Sequence, residues 1–243
     1  MRSALITGAS GGIGAATARK LAGQGYAVAI HYHRAEEKAL RLAEELRQQG
    51  AEVITVGADV ADRAQVQNMV DNVLDKFCQL DILVCNAGIA KVGLLSDLTE
   101  KEWRYLFGVN VDGVFYCCQA VLPHFIHRKA GKIITVSSMW GQVGASCEAA
   151  YSATKAAVIG LSRALAKELG PSGITVNCVA PGVIDTEMNA ALSGQDLEAL
   201  REETPLGRIG KPEDVARAIA FLASEEADFV TGQVFPVNGG LVI

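Results

Sequence analysis

Tyr151 and Lys155 stand four residues apart in Tyr151-Ser152-Ala153-Thr154-Lys155. That spacing puts both side chains on one face of a helix. A phenol with an ordinary pKa near ~10 is a poor acid at neutral pH. A cationic ammonium one helical turn away stabilises the phenolate and brings proton transfer within reach. A hydroxyl that holds an oxygen as charge develops on it would complete a site for carbonyl chemistry. Ser137-Ser138 offers that hydroxyl. The pair alone is a weak signal; its company makes it a strong one. Asn86-Ala87-Gly88, Ser137-Ser138 and Pro181-Gly182 each follow an apolar run. Ser138, Tyr151 and Lys155 also have plain readings as a loop cap, a core aromatic and a surface charge.

A carbonyl site of this kind needs a hydride, which a nicotinamide cofactor supplies. Thr7-Gly8-Ala9-Ser10-Gly11-Gly12-Ile13-Gly14 is the matching glycine-rich turn. Its glycines let the backbone turn sharply and approach a phosphate, and the following helix N-terminus offers free N–H groups to a pyrophosphate. No Gly-Lys-Ser/Thr follows, so the turn is not a Walker loop. An acidic residue after the second strand would hold a ribose 2′-hydroxyl. Here the stretch is His31-Tyr32-His33-Arg34, with no acid before Glu36. Arg34, with His33 beside it, suits a 2′-phosphate, so the expected cofactor is NADP.

These segments need a scaffold that gathers them at one edge. Short apolar runs at 4–6, 27–30, 53–56, 82–85, 132–136, 174–179 and 233–236 read as strands. Helical patterns fall between them, at 12–24, 35–49, 62–77, 99–128 (one or two helices) and 149–169, with a late helix opened by Pro212. The strands are continuously apolar, as expected when helices cover both faces of a parallel sheet. The pattern is a doubly wound α/β domain, which binds ligands at the carboxyl ends of its strands. No linker or internal repeat interrupts residues 1–243, so one domain is expected.

Composition removes several other classes. Half of the 243 residues are hydrophobic and 20% are charged, enough for a core and unlike a disordered chain. The net charge of −5 argues against nucleic acid as a partner. The six cysteines form no Cys-x-x-Cys pair and only four histidines accompany them, so no metal site is expected. Reduced thiols and the lack of any unbroken run of 18 apolar residues point to a cytoplasmic protein without a membrane span.

With these motifs in order, the chain resembles the short-chain dehydrogenase/reductase family from Thr7-Gly8 to Val237-Asn238-Gly239-Gly240. The resemblance implies a Rossmann-type doubly wound three-layer sandwich with a seven-stranded parallel sheet. It implies a catalytic tetrad at Asn110, Ser138, Tyr151 and Lys155. Tyr151 would be the acid–base and Ser138 the carbonyl's partner. Lys155 would hold the nicotinamide ribose and tune Tyr151, and Asn110 would hold a water for proton relay. Asp59 and Val60 would meet the adenine, Asn86, Ala87 and Gly88 the adenosine ribose, and Ile184 and Thr186 the carboxamide. Gly11 stands where many NADP-preferring members carry arginine, so the cofactor expectation rests on Arg34. A homotetramer is also implied, with 99–128 and 149–169 at one interface.

Within the family, Pro205-Leu206-Gly207-Arg208-Ile209-Gly210 and the C-terminal segment are similar to bacterial 3-oxoacyl-acyl-carrier-protein reductases. His127-Arg128-Lys129 and Lys132 would then form a basic patch at the active-site rim for an acidic carrier. A second basic position used by those enzymes is Ser172 here. Met139-Trp140-Gly141 and Ser146-Cys147-Glu148 resemble instead reductases of the 5-aminopentanone group on elongation factor P. In that reading Trp140 and Cys147 line the substrate pocket and Glu148 meets an ammonium. An acidic lid over 187–203 would favour the same cation, unless its charges form the solvated face of a short helix. Two further alternatives are a cofactor-sensing regulatory protein without turnover and an NAD-linked alcohol dehydrogenase.

Overall fold

A computed structural model describes residues 1–190 and 193–243. Ala191 and Leu192, inside the expected acidic lid, lie outside the described residues.

Seven strands form one parallel sheet: β1 (Ser3–Ile6), β2 (Ala27–Tyr32), β3 (Val53–Gly57), β4 (Ile82–Cys85), β5 (Gly131–Val136), β6 (Ile174–Pro181) and β7 (Val234–Val237). Their order is β3-β2-β1-β4-β5-β6-β7, with every pairing parallel. The order reverses between β1 and β4, which opens a crevice at the carboxyl ends of those strands.

Helices cover both faces. On one side α1 (Gly12–Ala22), α2 (Glu36–Gln48) and α9 (Pro212–Ala223) enclose Ala4, Ile6, Val28, Ile30 and Val84. On the other, α3 (Arg63–Phe77), α5 (Gly113–Arg128) and α7 (Ala149–Leu169) enclose Leu5, Ala29, Leu83 and Ile133. Neighbouring strand residues thus enter opposite cores, which is why the strands are apolar at every position rather than at every second one. The sandwich is the Rossmann-type architecture expected from the motifs.

Local signals set several boundaries. The Asp62 carboxylate accepts from the N–H groups of Ala64 and Gln65 and so starts α3. Thr99 and Glu102 form a capping box at the start of α4 (Glu100–Phe107). The run expected over 99–128 is α4 and α5 joined by a π-helical turn, Gly108–Asp112, in which Gly113 N–H reaches back to the Gly108 carbonyl. Such turns are rare and recur at functional sites; this one carries Asn110. Glu100–Arg128 together is long and apolar enough to cross a membrane by composition, but here α5 packs on α3 and β4, and α4 on α7. The short α6 (Trp140–Val143) and α8 (Gly194–Glu203) complete the helices named here.

Candidate active site

A cleft of about 510 Å³ lies along the carboxyl edge of the sheet. Its floor at one end is the turn from β1 to α1. Gly8 has φ +64, and a Cβ there would come within 2.8 Å of Ala87 Cα. Gly14, by contrast, does not line the cleft: a Cβ on it would meet the Gly8 carbonyl at 2.4 Å and Asn86 Nδ2 at 2.6 Å. Its task is to let α1 approach the turn, not to touch a ligand. Gly11 has no atom within 4 Å of where its Cβ would project, and α1 begins without a side-chain cap or an acidic residue in its first turn. Its N–H groups therefore remain available to an anion. Asn86 fastens the turn from the side, its Nδ2 donating to the carbonyls of Thr7 (2.9 Å) and Gly8 (3.1 Å). The Thr7 hydroxyl accepts from Asn86 N (2.9 Å) and Ala87 N (3.0 Å).

The other expected cofactor positions gather round the same cleft. Ser10, Gly11, Gly12, Ile13, His33 and Arg34 line it. So do Asp59, Val60, Asn86, Ala87, Gly88, Pro181, Gly182, Ile184 and Thr186. Arg34 is exposed and enters no ion pair among the described residues. His33 Nε2 lies 3.8 Å from Asp59 Oδ2. Asn189, Glu187 and Met188 complete the wall; Asn189 holds its segment by donating to the Ile184 carbonyl at 2.7 Å.

At the middle of the edge, Ser138, Tyr151, Lys155 and Asn110 come together. Lys155 is buried, and its Nζ donates to the Val136 carbonyl at 2.9 Å and stands 5.6 Å from the centre of the Tyr151 ring. Burial brings the ammonium down to about 8, so it remains mostly a cation at neutral pH. Burial raises Tyr151 to about 12; Ser138's hydroxyl opposes this, and the Glu148 charge adds to it. The phenol is thus held protonated; the lowering expected from Lys155 is not seen, because burial outweighs it. The Ser137 hydroxyl donates to the Lys155 carbonyl at 2.7 Å, tying α7 to the end of β5.

Asn110 is fully buried and its amide is already engaged. Ile89 N donates to Oδ1 at 2.9 Å, and Nδ2 donates to the Ile89 carbonyl at 2.9 Å and to Thr154 Oγ1 at 3.1 Å. Both amide hydrogens are spent on holding the segment after β4 to α7. Gly88 lies between them and the ammonium: a Cβ there would be 3.2 Å from Lys155 Nζ and 3.3 Å from Asn110 Oδ1.

A family model described as "Enoyl-(Acyl carrier protein) reductase" matches residues 8–242. The chain is 45% identical over 240 residues to 3-oxoacyl-[acyl-carrier-protein] reductase FabG of Staphylococcus aureus, covering 99% of this chain and 98% of that one. It is 43% identical to subunit BbsD of (2S)-[(R)-hydroxy(phenyl)methyl]succinyl-CoA dehydrogenase from Thauera aromatica, covering 98% and 96%. The chain belongs to the short-chain dehydrogenase/reductase family. A gluconate 5-dehydrogenase from Burkholderia cenocepacia, solved with NADP and tartrate, superposes on this short-chain dehydrogenase/reductase with a TM-score of 0.94. It is 40% identical and covers 99% of this chain and 94% of its own. The protein is an oxidoreductase.

The substrate side of this short-chain dehydrogenase/reductase differs from expectation in two places. Two of the basic residues expected at the active-site rim, Arg128 and Lys132, lie at the opposite, amino edge of the sheet. Arg128, at the end of α5, donates to Asp81 Oδ1 and the Leu80 carbonyl, each at 2.9 Å. Lys132, near the start of β5, pairs with Asp228 at 2.6 Å. A parallel sheet forces this, since the start of β5 and its end at Ser138 are opposite edges. Three of the five acids over 187–203 are engaged as well. Glu187 pairs with Lys38, Asp196 caps α8 through Ser193, and Glu198 pairs with Arg201 at 2.8 Å. Glu148 is the acid that bears on Tyr151: it is half-buried, burial raises its pKa, and the Trp140 indole opposes that rise. Trp140, Cys147 and Glu148, expected at the substrate pocket, do not line the cleft: Cys147 is exposed with φ +62, and its carbonyl accepts from Gly93 N at 2.7 Å.

Proposed function

We propose that this protein is an NADPH-dependent reductase that converts a ketone to a secondary alcohol, acting on a 3-oxoacyl group carried by acyl carrier protein. The observation that carries the reduction is a protonated, buried Tyr151 beside a cationic Lys155 and the Ser138 hydroxyl, on the wall of the cleft that the glycine turn also lines. The bound cofactor supplies the hydride. Ser138 holds the carbonyl oxygen, Tyr151 gives that oxygen a proton, and Lys155 stabilises the phenolate left behind. Asn110 keeps the segment at Gly88 in register with Lys155. Arg34, exposed beside the cradle, supports NADPH over NADH. The Staphylococcus aureus relative supports the carrier-bound substrate. Residues 1–243 act as one cytoplasmic domain. It assembles as a homotetramer across α4, α5 and α7, where Trp103, Phe115 and Ile126 are exposed.

A second reading has its own observation. Glu148, half-buried between Trp140 and Tyr151, suits a substrate ammonium better than an acidic carrier, and this favours the 5-aminopentanone group on elongation factor P. NADPH oxidation with an acetoacetyl thioester and, separately, with a small aminoketone tests both. Turnover of the thioester is the expected result; turnover of the aminoketone alone replaces the first reading by the second. Tyr151→Phe abolishes turnover in either case; a variant that has lost turnover yet keeps the protein's biological activity would leave only a sensing role.

A further inference from the structure

His31 stands near the end of β2, 1% exposed, on the wall of the cleft, and nothing in the reaction above uses it. It holds the beginning of the glycine turn twice. Its main-chain carbonyl accepts from Ala9 N at 2.8 Å. Its ring accepts from Gly8 N at Nδ1, 2.9 Å, and its Nε2 lies 3.0 Å from the Ala58 carbonyl. A main-chain N–H only donates and a carbonyl only accepts. Both bonds are therefore satisfied by one species, the neutral ring with its proton on Nε2. An imidazolium would set an Nδ1–H against the Gly8 N–H and push on the turn at its left-handed residue.

The surroundings favour the neutral ring. Burial lowers the pKa of His31, the Ala58 bond opposes this, and the neighbouring charge of His33 adds to it; Asp59, beyond β3, pulls the other way. Arg34 follows in the bend just past β2, and neither Thr7–Gly14 nor Asn86–Gly88 carries a titratable side chain.

We propose that His31 is the positioning residue of the cofactor turn, and that its neutral bridge from Gly8 to Ala58 makes dinucleotide binding sensitive to acid. The proposal rests on the reading that this turn holds NADPH. If only the neutral ring supports the bound geometry, the apparent Kd rises toward about tenfold per pH unit below the His31 pKa. Attraction of an imidazolium to the cofactor phosphates, if it dominated, would give the opposite sign.

The experiment is direct titration of the purified protein with NADPH, by fluorescence, from pH 8 to pH 5.5. The parent is compared with His31→Ala, His31→Asn and His31→Gln. At pH 8 the alanine variant binds about tenfold more weakly, because Gly8 N–H loses its acceptor. An amide, which can accept and donate without titrating, restores binding. Toward pH 5.5 the parent loses affinity more steeply than the amide variant; titration of the ligand's own phosphate and of His33 is common to both and cancels in the ratio. Parallel profiles, or a parent that tightens in acid relative to the amide variants, overturn the proposal. Where the variants do not fold, nitrogen NMR of the parent's histidine rings gives the answer. A neutral Nε2–H ring in the NADPH complex is expected, and a charged or Nδ1–H ring there overturns it. Failure to bind NADPH at any pH instead removes the cofactor reading itself.

Discussion

Asn110→Ala separates two roles for the same side chain. As a pin, Asn110 makes three hydrogen bonds, at 2.9, 2.9 and 3.1 Å. Truncation leaves the Ile89 N–H and carbonyl without partners, while Thr154 Oγ1 keeps its bond to the Tyr151 carbonyl. Each orphaned buried group costs about 1–3 kcal/mol. Allowing for the side-chain entropy released, the loss is about 3 kcal/mol, which for a chain of this length lowers Tm by about 6–12 °C. Activity falls as well, because the loosened Gly88 segment abuts Lys155 Nζ. Thr154→Val removes only the 3.1 Å bond toward Asn110 and the bond to Tyr151, so it costs about 1 kcal/mol. Urea unfolding of both single variants and the double variant, beside kcat on the best ketone, makes the comparison. The two substitutions share a bond, so their sum exceeds the double variant by about 1 kcal/mol. An Asn110→Ala protein that unfolds within about 0.5 kcal/mol of the parent yet has lost its kcat refutes the pin. It would return Asn110 to the water-holding role.

Two other expectations follow from the same geometry. With Lys155 at about 8, kcat/KM for reduction falls above about pH 8, by up to tenfold per unit, as the ammonium that stabilises the Tyr151 phenolate is lost. Lys155→Met is slow and flat across that range, and a parent profile that is also flat from pH 7 to 10 removes Lys155 from the role. Arg34→Glu weakens NADPH by about 10–100-fold, the worth of one or two charge-assisted hydrogen bonds. NADH is left nearly unchanged when both Kd values are measured by fluorescence, whereas equal losses for the two cofactors would show that Arg34 acts on the turn and not on a 2′-phosphate.

The parts of this fold legible in the sequence are those with local causes. Continuous apolar runs gave the seven strands within a residue or two, because both sheet faces are covered. The helix starts read at 62 and 99 coincide with the N-caps Asp62 and Thr99. The glycine turn, Asn86-Ala87-Gly88, Ser138 and Tyr151–Lys155 were each readable as segments, and strand ends in a parallel sheet must fall on one edge. Contacts that depend on exact register were not readable. Nothing local says that Gly14 faces Asn86 and not the ligand, that Asn110 spends its amide on Ile89, or that the ring of His31 turns inward to Gly8. His31 falls just past the run read over 27–30, where a polar residue is ordinary, and only the extension of β2 to Tyr32 brings its ring into the core.

Charge shows most clearly what sequence distance hides. Arg128 and Lys132 are closer in sequence to Ser138 than Tyr151 is, yet the length of β5 separates them from it. At the amino edge they pair with Asp81 and Asp228, around a second cleft of about 440 Å³ that also holds Arg2 and Glu225, themselves a pair. Those cations are paired within the chain itself. On the substrate side, Lys91 is paired with Glu102 at 3.1 Å, and Glu148 is the half-buried charge that Tyr151 feels. A carrier-bound thioester would therefore meet a Tyr151 whose pKa the half-buried Glu148 carboxylate helps to raise. Neutralising it should help a neutral ketone by easing proton transfer from Tyr151, and should harm a cationic one by removing its partner. The two candidate substrates thus make opposite demands on one carboxylate, so the sign of the effect at Glu148 distinguishes them where overall identity to a relative does not.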